Sequence, residues 1–218
     1  MPNGLKELTL FEDFNEDLNA AFPESHSEYS RFIRIPSASV GAALAKASLS
    51  LEQLSVSFLV DAKDFFEAYQ SGWIWKNLAS LALTSQLLNS AKDPADVNNL
   101  LHAAGVAARN MPKLRIMEVW NGGRGHACVF RYHLTDGFAT ITWCSSWDLQ
   151  LESCVVKAWE AVALEHSGQI LCVDLHQIPT ESIQSHGDAI DHLQLKRQIL
   201  RPVSLHQIRM EGRKNYYP

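Results

Sequence analysis

No apolar run in this 218-residue chain approaches the roughly 20 residues that a helix needs to cross a bilayer, so no membrane partner is expected. The opening Met1-Pro2-Asn3-Gly4-Leu5-Lys6-Glu7 lacks the basic-then-apolar order of a secretory signal. Positive charge is scarce: 19 Lys and Arg stand against 24 Asp and Glu, giving a net charge of -5 and a pI near 6.0. That balance argues against a nucleic-acid partner, which calls for a basic face to neutralise phosphates. Cysteine is sparse. Cys128, Cys144, Cys154 and Cys172 show no CxxC spacing, and Cys128, Cys144 and Cys172 sit in apolar strand-like runs where a thiol acts as a small hydrophobe. We expect reduced, structural cysteines and a cytoplasmic or nuclear protein that is not secreted.

Catalytic signatures are missing too. The cluster Trp120-Asn121-Gly122-Gly123-Arg124-Gly125-His126 lacks the Gly-Lys-Ser/Thr ending of a phosphate loop, and a strand rather than a helix follows it. It reads as a tight loop between strands. There is no Gly-x-Ser-x-Gly elbow, and nothing orders Ser145, Ser146, His166 and Asp174 into nucleophile, base and orienter. Among nine histidines the densest group is His186-Gly187-Asp188-Ala189-Ile190-Asp191-His192. A helix would put Asp188 and His192 on one face, and His186-x-Asp188 has the form of half a facial triad, but no third ligand is apparent. We therefore expect no metal and no cofactor, with His186, Asp188 and His192 as the metal alternative.

What the chain has is one recurring pattern, Leu-x-x-(Leu/Met)-x-(Leu/Val). It occurs at Leu5, Leu8, Leu10; at Leu51, Leu54, Val56; at Leu78, Leu81, Leu83; and at Leu114, Met117, Val119. Each copy ends in an alternating run, which gives a strand with one buried face, while the first Leu turns in from the preceding loop to floor the same core. Helical patterns lie between them, over 39–47, over 61–69, and from Asp93-Pro94, a cap followed by Pro at the first helical position, to about Arg109. The intervals are irregular, and only Leu51 to Leu78 falls in the leucine-rich-repeat range of about 20–29 residues. The alternative is an ordinary α/β sheet whose strands begin alike.

The second half changes character. Thr135-Asp136-Gly137 joins two β-rich runs, 126–134 and 138–145, as a hairpin. A helix over 152–166, a strand over 169–175 and a helix over 188–195 follow, and 201–209 reads as a short strand or irregular cover. The fold class is thus α/β: an irregular leucine-rich-repeat-like open solenoid of parallel strands with covering helices over about 1–122, then a mixed β-rich half over about 123–218. With 46% hydrophobic residues, 6 Trp and 9 Phe, the whole of 1–218 reads as a single domain. Binding residues are sought among aromatics and Arg at strand ends, the types that anchor interfaces: Trp73, Trp75, Trp120, Asn121, Arg124, Trp143 and Trp147. The competing reading for each Trp is burial in the core.

The stretches 34–39, 51–58 and 75–85, extended by 111–122, 141–143, 185–190 and 202–209, resemble an uncharacterised domain of filamentous-fungal proteins, commonly found downstream of an F-box. The resemblance covers nearly the whole chain and brings no catalytic residues with it. It implies the substrate-receptor half of an F-box protein, a repeat domain that holds a target protein. No F-box-like helical segment precedes the first leucine motif, so the expected form is a free-standing binding fragment or a gene remnant. We expect a non-catalytic protein-interaction module. The alternative is a small biosynthetic enzyme or accessory protein of a fungal secondary-metabolite gene cluster.

Overall fold

The four leucine motifs become four adjacent parallel strands. The computed structural model describes residues 4–12, 36–196 and 199–211. Asp13, Glu16 and Asp17, the first two residues (34 and 35) of the stretch that opens the resemblance, and residues 212–218 lie outside these residues. The strands are β1 (Glu7–Phe11), β2 (Gln53–Ser57), β3 (Ser80–Thr84) and β4 (Ile116–Gly123). Register aligns the motif across them: Leu8, Leu54, Leu81 and Met117 stand side by side, and so do Leu10, Val56, Leu83 and Val119. Because side chains alternate along a strand, both rows face the same core, where Leu51, Leu78 and Leu114 join them from the preceding loops.

The sheet then continues without a break. β5 (His126–Leu134) pairs antiparallel with β4, and β6 (Ala139–Ser145) pairs antiparallel with β5 across the expected 135–137 turn. β7 (Leu171–Gln177) lies parallel to β6. Strand order across this mixed seven-stranded sheet is simply β1 to β7, and the sheet is open rather than closed into a barrel.

Four helices pack in sequence along the leucine face: α1 (Ala38–Ala47), α2 (Ala62–Glu67), α3 (Pro94–Ala108) and α4 (Ser153–Ser167). Their starts follow from the sequence. Asp61 and Asp93 each accept a hydrogen bond from a first-turn N–H, and Pro94 occupies a first-turn position where its missing donor costs nothing. α3 and α4 approach closely because Gly105 has no side chain; a Cβ there would lie 3.0 Å from that of Ala158. Trp159, buried between them, donates Nε1–H to Leu101 O at 3.1 Å and stacks on Tyr132, whose phenol burial pushes up to about 12.

The opposite face is covered differently. α5 (His186–Leu193) lies over β4 and β5, and α6 (Pro202–Glu211) packs on α5. Ile190 and Leu193 join Trp120, Ala127 and Val129 in a second core. Gly122 permits this contact: a Cβ there would sit 2.6 Å from that of Ala189. One ion pair holds the C-terminal end of α5 to the sheet. Arg131 Nε donates to Glu118 Oε1 at 2.6 Å, Arg131 Nη2 donates to Leu193 O and Gln194 O, and the same Glu118 oxygen accepts Lys196 N–H at 3.0 Å. The pair is buried, so its geometry decides whether it repays the desolvation of both charges.

Two expectations need correction. Residues 201–209 form α6 rather than a strand or irregular cover. Their apolar residues follow no clear period, and the helix is instead fastened through Arg209, 3.5 Å from Asp188 and 3.0 Å from Asp191 on α5. α5 itself starts two residues earlier than expected, because Ser185 Oγ accepts the Asp188 N–H at 3.1 Å and so caps the helix ahead of His186. Among the described residues no helix is long and apolar enough to cross a membrane.

Candidate functional site

Open α/β sheets gather ligands beyond the carboxyl ends of their strands, where successive loops converge. Here the loops after β2 and β3 and the end of β4 do so. At the end of β2, Phe58 takes the left-handed φ of 66°, unusual for a bulky side chain and a strain of about 1–3 kcal/mol that surrounding contacts must offset. Those contacts are present. Phe58 N–H donates to Thr84 Oγ1 at 2.6 Å, and its ring meets Phe11 and Trp120 edge-on at 5.6 and 5.2 Å.

Three residues further, Asp61 ties two loops together. Its Oδ1 accepts from Ser85 Oγ at 2.6 Å and from Lys63 N at 2.9 Å, and its Oδ2 accepts from Gln86 N at 2.8 Å. Asn121 performs the same service on β4, donating Nδ2–H to Leu88 O at 3.2 Å, and Asn89 Oδ1 accepts Ala91 N–H. These fixed loops enclose a cavity of about 280 Å³ whose lining also includes Lys92 and His126. Lys92 and Gln86 are exposed and His126 is half-buried, so a cation, an amide and an imidazole are among the lining groups.

Ser85 gives its hydrogen bond to Asp61, whose two oxygens also anchor the loops after β2 and β3.

The residues singled out from sequence do not meet at one site. Trp75, Trp120 and Trp143 are buried, so core burial is the reading that holds for them. Trp75 Nε1–H donates to Ser48 Oγ at 2.7 Å, with Phe65 and Tyr69 stacked against its ring; Trp120 lies beneath Phe58. Trp73 and Trp147 are half-buried and each sits edge-on to a buried Trp, at 6.1 Å from Trp75 and 5.8 Å from Trp143. Trp73 and Trp75 precede β3, at the sheet edge opposite the cavity. Arg124, at the β4–β5 turn, is exposed and donates to Gln184 O at 3.2 Å. Of the seven, Asn121 alone lines the cavity.

Sequence reasoning misses Asp61, Gln86, Asn89, Lys92 and His126 as site members. The available signal was position: Ser85 and Gln86 come directly after β3, and Asp61 comes four residues after β2.

The metal alternative resolves into a helix start. Asp188 Oδ2 accepts from Ser185 Oγ at 3.1 Å and from Gln184 N at 3.3 Å, and Oδ1 faces Arg209. His186 is buried in the same turn and His192 is exposed one turn on. Among the described residues no three His, Cys, Asp or Glu side chains are grouped to hold an ion.

Fold and site together define an open mixed α/β sheet with a loop-built cavity at its carboxyl edge. The chain belongs to a family of unknown function, DUF6546, whose model matches residues 1–201. No curated protein and no solved structure matches it.

Proposed function

We propose that this chain is a non-catalytic protein-interaction module of the kind that forms the substrate-receptor part of fungal F-box proteins, and that it takes its partner at the loops beyond β2, β3 and β4. The observation that carries this reading is the use to which the cavity's polar groups are put. Asp61, Ser85 and Asn121 brace the loops, while Lys92 lines the cavity and is exposed. In this reading β1–β4 are irregular leucine-rich-repeat-like units, supported by the aligned leucine rows and by helices packed in sequence on one face. The partner is a protein in the cytoplasm or nucleus that presents acidic or carbonyl groups to Lys92.

Quantitative affinity capture with the wild-type chain and with Lys92→Glu tests this. The expected result is that Lys92→Glu loses a partner that the wild type recovers, with its melting temperature unchanged; an identical set of partners from both chains overturns the reading. A second reading, a small biosynthetic enzyme of a fungal secondary-metabolite cluster, is favoured by the cavity's position at the strand carboxyl ends. A metabolite that raises the melting temperature of the wild type but not of Lys92→Glu would decide for it.

A further inference from the structure

β7 ends the sheet, and it is exposed along six of its seven residues. Val173 and Leu175 lie on the same sheet face as Ile141 and Trp143, their β6 neighbours, yet remain 43% and 62% accessible. Asp174 and His176 alternate with them on the other face, and neither has an ion-pair partner among the described residues. A long, exposed, partly apolar edge strand is a template for pairing with another strand.

Backbone direction limits how that pairing can occur. Ile178 N–H donates to Ser145 O, so the even-numbered residues of β7 turn their backbone toward β6. In a parallel pair the N–H and C=O of one residue point the same way, which leaves Val173, Leu175 and Gln177 with their polar groups on the open side. A second copy of this chain, related by a two-fold axis, can pair antiparallel through these residues in three central registers. Pairing about Asp174 sets that carboxylate against its own copy, a destabilising arrangement. Pairing about Val173 sets Asp174 against Cys172 and His176 against Ile170, so neither polar side chain gains a partner. Pairing about Leu175 sets Leu175 against Leu175 and Asp174 against His176, twice. The Asp–His pairs then occupy the non-hydrogen-bonded positions, where side chains come closest. The ladder ends at Pro179, which has no N–H to give.

We infer that the chain forms a two-fold dimer through β7, paired antiparallel about Leu175, which joins two seven-stranded sheets into one. The proposal goes beyond the contact surface at the β2–β4 loops and does not rest on it.

Sedimentation equilibrium of the full chain across a range of concentrations provides the test, with circular dichroism melts as a check on folding. The wild type sediments as a dimer, and Leu175→Lys, which sets two cations together on the axis, sediments as a monomer with its melt intact. Asp174→Lys weakens the dimer about tenfold by removing two cross-strand pairs. The swapped double variant, Asp174→His with His176→Asp, regains it. Register is read from cysteine crosslinking with Cys154 and Cys172 replaced by Ser. Residues that face each other as a hydrogen-bonded antiparallel pair have Cα atoms about 5.5 Å apart, within disulfide reach. Leu175→Cys therefore joins two chains on mild oxidation and Val173→Cys does not. A monomeric wild type, a dimeric Leu175→Lys, a swap that fails to regain the dimer, or a crosslink at Val173→Cys instead of Leu175→Cys overturns the proposal.

Discussion

β3 and β7 are laid down in the same manner, each returning parallel to the strand before it after a helical crossover, and they end in opposite environments. Every residue of β3, Ser80–Thr84, is buried; in β7 all but Leu171 are exposed. Composition does not explain the contrast, since Leu-Ala-Leu in one and Leu-Cys-Val-Asp-Leu in the other are both apolar enough for a core. Position does. β3 has β2 and β4 on its flanks and cover on both faces, whereas β7 has β6 alone. In this sheet, burial is a property of having neighbours.

That contrast can be pressed in matched pairs, measured by chemical denaturation at concentrations where the chain is monomeric. The largest effect falls on the enclosed charge of β4. Glu118→Ala strands the Arg131 guanidinium beneath α5 and costs about 3–5 kcal/mol. Its counterpart on β7, Asp174→Ala, stays within about 0.5 kcal/mol. Next comes the leucine row: Leu83→Ala opens a cavity in a fully buried site and costs about 3 kcal/mol, against almost nothing for Leu175→Ala. Equal costs within either pair would break the comparison.

The smallest effect is on pH dependence, and it sharpens the same point. Burial holds the imidazoles of His133 and His166 below the ordinary histidine range. The folded state therefore binds protons less readily than the unfolded chain, and stability present above the ordinary value of 6.5 is lost as pH falls through it. Thermal melts should show a lower midpoint at about pH 5.5 than at about pH 7.5, and replacing both histidines by Asn should flatten that slope.

The parts of this fold that could be read from the sequence are those fixed by local chemistry. The leucine spacing gave the strands and their common face, Asp93-Pro94 gave the start of α3, and Thr135-Asp136-Gly137 gave the hairpin. α6 was hidden because no apolar stripe marks it; its helix is held from outside, by Arg209 reaching two aspartates on α5. The aromatics misled for a related reason. Whether Trp75 or Trp120 meets solvent depends on which elements fold over it, and nothing within a few residues of either records that. The cavity is assembled from three loops, so Asn121 could be noticed from its neighbours in sequence while Asp61, Lys92 and His126 could not. Their common property, standing past the ends of parallel strands, becomes visible only when the strands are aligned.

Because strand order follows sequence order, a chain growing from a ribosome always finds the neighbour of its newest strand already made. β2 can settle on β1, β3 on β2, and so on outward, without waiting for distant sequence. The packing of α5 back onto β4 and β5 breaks this rule. The N–H of Lys196 returns to Glu118, and the C-terminal end of α5 returns with it to Arg131. The charges on β4 and β5 therefore face water through most of synthesis and are enclosed only near its end, which makes the closing of α5 over the sheet a late event in the birth of the molecule.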